Sequence, residues 1–521
     1  MNKTWTKILL LAIIFLFLFT RLYKIAEIPS SVYWDEASIG YNAYSIAETS
    51  KDEWGEFLPL HFRAFGEFKL PVYIYTTAVS VKLFGLNEFA VRLPSVIFSL
   101  GVVILTYFLA KRLFDNIAVA LLSSFFITIS PWFFIFSRTG YEATAGLFFL
   151  LLGIFFWLKF QKSPFFIIFA CLSFVFSAYS YNSFRVLPPF LLPGLFLLLF
   201  IHRNKPRKGL IVSLILGTSI LIFGFIPIIE FFSKGESNRL NVIGIFDSQK
   251  KNIQILHTFA YNYMAHFNPK FLLTSGDVNL RSQQSNFGEI YLVEFPFLLM
   301  GLYSLYKLKK IQNLVLVYLF FVSFIPSAIT RESPHALRSV LAAPLISIIS
   351  SFGIYSFYQI LVKAKSKVAN NFFKIIILFF VLSFGWYFFK FLSGYNREAA
   401  EHWQYGYKRI FLDYAKEFNN FDNIVISDRY DQPYIFALFY LKYDPERFRK
   451  EVKYNQSIRK ATSLVKGFNK LSFTNIDYYN LPKGKSLIFA HPTDKMDEIK
   501  SREVILNPDK SIAVYVYEYT K

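Results

Sequence analysis

Apolar residues in this chain run in long blocks separated by short polar segments. Blocks long enough to cross a bilayer as helices recur at about 8–22, 95–110, 117–136, 143–158, 164–180, 186–201, 210–231, 290–306, 312–329, 339–362 and 374–392. They predict about 11 transmembrane helices. Lys3 and Lys7 precede the first block, and Arg21, Leu22 and Tyr23 come after its apolar run Ile8–Phe19 where a cleavable leader would carry small residues. That block therefore reads as a retained span. The segment 71–84 is also apolar but shorter, and it predicts an interfacial or re-entrant helix, with a full crossing as the alternative. After residue 393 the pattern changes. Asn423–Ile426 and Ser486–Phe489 read as buried strands, Gln432–Tyr443 as a helix opened by Pro433, and Ile512–Tyr519 as an alternating strand. These predict a small α/β domain.

Composition agrees with a membrane solvent. Of 521 residues, 54% are hydrophobic and 17% charged, against about 25% charged in soluble proteins. A single aqueous core cannot hide that much apolar surface. The net charge of +21 does not point to nucleic acid, because the basic residues cluster between apolar blocks and form no basic face. Lys111-Arg112, Lys159/Lys162, Arg203/Lys205/Arg207/Lys208, Lys307/Lys309/Lys310 and Lys363/Lys365/Lys367/Lys374 lie between alternate pairs of blocks. By the positive-inside rule these loops and the N-terminus are cytoplasmic. Counting 71–84 as a span would invert every later loop. The loops 21–94, 137–142, 181–185, 232–289 and 330–338, and the domain after 393, then face outward. The expected protein is a polytopic α-helical protein of the cytoplasmic membrane, with a transmembrane region 1–392 that includes the first outer loop 21–94, and an extracytoplasmic α/β domain 393–521. Cys171, the one cysteine, excludes an internal disulfide and reads as packing.

The first outer loop carries the densest chemistry. It contains Trp34-Asp35-Glu36-Ala37-Ser38, an acidic pair opening a helical stretch. A carboxylate there can take a proton from an attacking hydroxyl; it can equally cap the helix. Gly66-Glu67-Phe68-Lys69-Leu70-Pro71 follows, and then Ala90-Val91-Arg92-Leu93-Pro94-Ser95 at the start of the next span. Together these elements resemble the GT-C glycosyltransferases of family 39, the class of the protein O-mannosyltransferases, the aminoarabinose transferase of lipid A and the RgtA/B/C/D-like enzymes. The similarity is clearest over residues 28–145.

The resemblance implies a GT-C fold and transfer of a hexose or pentose, with inversion, from a polyprenyl-phosphate donor to a lipid, glycan or protein acceptor on the outer face. It implies Asp35 as catalytic acid/base with Glu36 beside it, and Lys69 as a holder of donor phosphate. Phe68 between Glu67 and Lys69, and Leu70 in place of the first proline, depart from the family's E-K-P-P element and leave the role of Glu67 open. It also matches Glu142, in Phe136-Ser137-Arg138-Thr139-Gly140-Tyr141-Glu142, to the family's second acidic site. Arg138 there suits phosphate, and a helical Arg138–Glu142 pair is the alternative. Asn182 and Arg185 in the next outer loop, with Tyr141, are further substrate-binding candidates. Arg331, His335 and Arg338 crowd the last membrane loop, where a lipid phosphate would sit. In loop 232–289, His257 and His266 lie nine apart with Asp277 and Glu289 beyond, which is not a metal-ligand spacing. No cofactor motif is present; a divalent ion stays open. Competing classes are a transporter, an oligosaccharide ligase and an inactive relative. The first would show charged or broken helices in two related halves, which this sequence lacks.

Overall fold

The computed structural model describes all residues except 1, 161, 202–208, 235–242, 247–250, 309, 456–464, 495 and 497, and only the backbone of 196–201. His202, the basic cluster Arg203/Lys205/Arg207/Lys208, and Lys309 lie outside the described residues. Each of the eleven apolar blocks forms a helix or a bent helix pair. Among the described residues six helices are long and apolar enough to cross a membrane, Lys3–Leu22, Glu88–Phe114, Leu210–Ser233, Ile311–Ala328, Ala342–Lys363 and Phe372–Ala399, and the pair Ile117–Ile129 and Pro131–Arg138, bent by 63°, makes a seventh. Ala143–Lys159, Phe166–Ala178 and Phe295–Leu308 are shorter apolar helices, as is Pro188–Ile201. The protein is a multi-pass membrane protein.

The chain divides into two compact units, 1–23 with 95–390 and 24–94 with 391–521. In the first, Ala342–Lys363 packs against Phe295–Leu308 and Ile117–Ile129, and Phe166–Ala178 against both Ala143–Lys159 and Leu210–Ser233. Small residues permit this. A Cβ added at Gly353 would stand 1.9 Å from the Phe297 carbonyl oxygen, and one at Gly301 2.1 Å from that of Ile349, so the two backbones touch as in small-residue membrane packing. The other side of several helices is apolar and uncovered: Ile215, Ile222, Phe223 and Ile229, like Leu378, Phe379 and Leu382, are exposed. Such faces suit lipid.

The second unit joins the first long loop to a sheet domain. Helix α1 (Trp34–Thr49) packs on helix α2 (Pro71–Phe84), with a two-stranded hairpin of β1 (Phe62–Ala64) and β2 (Glu67–Lys69) between them. Helix α2 has Pro71 at its first turn and 14 residues, about 21 Å, too short for a bilayer of about 30 Å. The expected strands all form. Asn423–Ser427 pairs in parallel with Leu471–Thr474 on one side and Lys485–Ala490 on the other, with Ile424 opposite both Leu471 and Leu487. Antiparallel strands, including Ile512–Thr520, complete seven among the described residues. Val425, Ile488, Met496 and Tyr517 form part of its core. Helix α3 (Pro433–Tyr440) is buried from Pro433 to Phe439. It meets α1 at Gly40, where a Cβ would lie 2.6 Å from the Phe439 ring and 2.7 Å from Val91.

Candidate functional site

Asp35 lies in the first turn of α1, but the helix is capped at Tyr33 without a side-chain bond. The expectation that Asp35 caps the helix is therefore corrected: it sits two residues past the cap position, and its carboxylate pairs instead with the ammonium of Lys69. Lys69 ends β2, and the hairpin turns it back toward α1. Its side chain is 3% exposed, whereas that of Asp35 is 28% exposed, so the carboxylate is the accessible partner. Glu67 Oε1 stands 3.9 Å from the same ammonium, which gives Glu67 a place despite the departure in its motif.

Glu36 faces the opposite way. Both carboxylate oxygens accept from Arg92, Nε to Oε1 at 3.0 Å and Nη2 to Oε2 at 3.0 Å, and neither side chain is exposed. Arg92 also donates to the carbonyls of Ile25 (2.7 Å), Pro29 (3.1 Å) and Ser31 (2.5 Å). One guanidinium thus ties the chain before α1 to its first turn, with the Trp403 ring 5.6 Å away. The sequence displayed Arg92 within its motif but not this task. Glu53 was missed as well. It is fully buried, accepts from the Tyr434 hydroxyl at 3.3 Å, and burial, with Asp52 adding, raises its carboxyl to about 8 while Lys69 opposes. The Asp52-Glu53 pair was the visible signal.

In the unit containing the spanning helices, Arg185 donates to the Ala178 carbonyl at 3.0 Å and lies 3.5 Å from Asn182 Oδ1. Burial lowers its pKa to about 10, with Tyr179 and Glu142 opposing, so it is a cation at neutral pH with Glu142 in electrostatic reach. Arg185 lines two cavities. One, of about 550 Å³, is walled by Phe174, Phe184, Leu192, Leu221, Phe225 and Ile229. The other, of about 310 Å³, has Asn182, Arg185, Thr330 and Arg338 among its lining residues. Arg338 donates to Thr330 Oγ1 at 2.8 Å and pairs with Glu332 at 3.3 Å.

The other expected residues of this unit are placed differently. Arg138 is fully buried and donates to the carbonyls of Thr20 (2.8 Å) and Tyr23 (3.0 Å), which anchors the end of the first spanning helix. Tyr141 is buried, its hydroxyl donating to the Arg281 carbonyl at 3.3 Å. Glu142 stands at the N-cap of Ala143–Lys159, half-buried. Arg331 is exposed and donates to the Gly244 carbonyl at 3.0 Å. His335 is 3.4 Å from the buried Asp277 carboxylate, which also accepts from the Ala336 amide at 2.8 Å. His266 packs on Phe271 and Phe324, and burial lowers it to about 4. Among the described residues, no group of three His, Cys, Asp or Glu side chains could hold a metal ion.

Residues 11–183 match the family model of the dolichyl-phosphate-mannose-protein mannosyltransferases. No curated protein sequence matches the chain. Among solved structures, ArnT from Cupriavidus metallidurans bound to undecaprenyl phosphate is similar with a TM-score of 0.56 at 12% identity, over 99% of this chain and 98% of that one. The Archaeoglobus fulgidus oligosaccharyltransferase is similar with a TM-score of 0.53 at 12% identity, over 84% of this chain. The chain spans 64% of that enzyme's length. A further structure of that enzyme, AglB, with an inhibitory peptide and a dolichol-phosphate, gives 0.53 at 13% identity over 84% of this chain and 64% of that one. The resemblance drawn from the first loop is borne out: the chain has the GT-C fold.

Proposed function

From a GT-C membrane fold we propose that this protein is a glycosyltransferase that moves a hexose or pentose from a polyprenyl-phosphate donor to a lipid, glycan or protein acceptor on the extracytoplasmic face of the cytoplasmic membrane. The observation that carries the reading is Arg185, shared by an apolar cavity and an adjoining cavity that Arg338 and Asn182 also line. A polyprenyl phosphate has that division, an apolar chain with an anionic head. The ligands of the similar structures, undecaprenyl phosphate in one and dolichol-phosphate in another, support the same donor class.

In this reading the bond between the anomeric carbon and the phosphate oxygen breaks as the acceptor oxygen attacks, and the electron pair leaves on the phosphate. Arg185 and Arg338 stabilise that charge. Asp35 accepts the acceptor's proton, held in orientation by Lys69. Lys69, engaged by two carboxylates, positions the base, so the phosphate role implied for it passes to the arginines. Arg138 and Arg331, committed to backbone carbonyls, serve the fold. Glu142 orients the sugar near Arg185.

The test is sugar transfer by the full chain in lipid nanodiscs, offered polyprenyl-phosphate-linked hexoses and pentoses. Asp35→Asn is expected to lower turnover by about 10²-fold or more, and Arg185→Ala to raise the donor KM. Full transfer by a folded Asp35→Asn variant overturns the reading.

A further inference from the structure

Helix α1 begins without a cap of its own. Tyr33 makes no side-chain bond to the first turn, yet the backbone N–H of Trp34 is not left to solvent: it donates to Oε1 of Gln404 at 3.0 Å, 370 residues along the chain. Gln404 is 5% exposed. Its other end is equally engaged, Nε2 donating to the carbonyls of Tyr430 and, at 3.1 Å, Asp431. These carbonyls belong to the turn that leaves the central strand Asn423–Ser427, and the turn has an unusual backbone. Asp431 and Gln432 are consecutive left-handed residues at φ 61° and 56°, and Gln404 itself has φ 50°. Non-glycine residues are held there only where the surroundings over-determine them.

Neighbouring contacts run the same way. The Tyr440 hydroxyl is 2.9 Å from Ser31 Oγ and accepts from the Val32 amide at 3.4 Å. Lys408 donates to the Ser30 carbonyl at 3.0 Å, and the Tyr33 ring meets Trp403 edge-on at 5.2 Å. The segment 30–34 is thus fixed by residues 403–440.

We propose that Gln404 is the positioning residue for Asp35, a helix cap supplied to α1 by the C-terminal domain. This domain then sets the angle at which the carboxylate leaves its helix, one residue beyond the capped amide. A lost cap frays the first turn of a helix, and Asp35 lies in that turn. The role assigned to Asp35 rests on the proposed transfer reaction; the cap does not.

The experiment is amide hydrogen exchange on the full chain in nanodiscs, comparing wild type with Gln404→Met, which keeps the side-chain volume and removes all three hydrogen bonds. Exchange in a peptide covering residues 33–38 is expected to rise about fivefold, the factor that goes with one lost cap, while strand Lys485–Ala490 stays as protected as in wild type. In a sugar-transfer assay the same variant lowers kcat with the donor KM unchanged. Unchanged exchange at 33–38, or equal loosening of the strand, overturns the proposal. Should Gln404→Met not fold, Gln404→Glu decides: it retains the acceptor for Trp34, so residues 33–38 stay protected while 428–432 loosen, and the reverse pattern overturns the cap. A raised exchange together with a fully active Asp35→Asn variant leaves the cap standing and removes the proposed reaction.

Discussion

Replacing Glu36 by Gln neutralises one member of an ion pair with no solvent contact at all. The consequence can be worked from the geometry. The two hydrogen bonds to Arg92 are each 3.0 Å, and at an effective dielectric of about 20 unit charges roughly 3–4 Å apart attract by about 4–5 kcal/mol. Removing one partner of a buried pair costs about 3–5 kcal/mol, because the other charge stays buried and uncompensated. Arg92→Met should cost a similar amount, since it also strands the carbonyls of Ile25, Pro29 and Ser31. The double variant Glu36→Leu/Arg92→Met removes both charges and should cost less than the two single changes together, by about 2 kcal/mol or more. Trp403, 5.6 Å from the guanidinium, supplies the assay: apparent unfolding midpoints read by tryptophan fluorescence of the full chain in nanodiscs. A Glu36→Gln midpoint equal to wild type, or additive costs in the cycle, would refute the reasoning.

Three further outcomes follow from the same unit. Glu53 titrates at about 8 when folded against an ordinary 4.5, so its contribution is complete below pH 4.5 and is lost as pH rises toward 8. Glu53→Gln should abolish a decline of about 3 kcal/mol between pH 5.5 and 7.5, and an unaltered pH profile of the unfolding midpoint refutes this. Gly40→Ala, which puts a methyl 2.6 Å from Phe439 and 2.7 Å from Val91, should destabilise by about 1–3 kcal/mol, visible as a lower midpoint. Lys69→Met should lower turnover by releasing Asp35; retention of full turnover would separate Lys69 from the base.

The spanning helices were legible because a bilayer demands a long uninterrupted apolar run, which needs no partner to be recognised. The sheet strands were legible for a similar reason, as short β-branched runs such as Asn423–Ile426. Asp35 and Lys69 were legible as motif members. What the sequence hid are pairings at long separation. Glu36 and Arg92 are 56 residues apart, and Trp34 and Gln404 are 370 apart; no local period encodes either. Asp35 was readable as a cap because Asp favours that position, but a cap one residue earlier, donated by Gln404, leaves no trace near Trp34. Arg138 looked like a phosphate ligand by charge and position, and only coordinates reveal that its Nη1 and Nη2 groups donate to the Thr20 and Tyr23 carbonyls.

The grouping of residues 24–94 with 391–521 also sets a timetable for biogenesis. A ribosome adding about 5–20 residues per second needs roughly 15–60 s to make the intervening stretch 95–390. Throughout that delay the early loop lacks Gln404, Tyr440 and Lys408, and its Tyr33 waits without the Trp403 ring that later meets it. A mature amino-terminal half is therefore a late product of translation, vulnerable to premature termination anywhere upstream of the sheet.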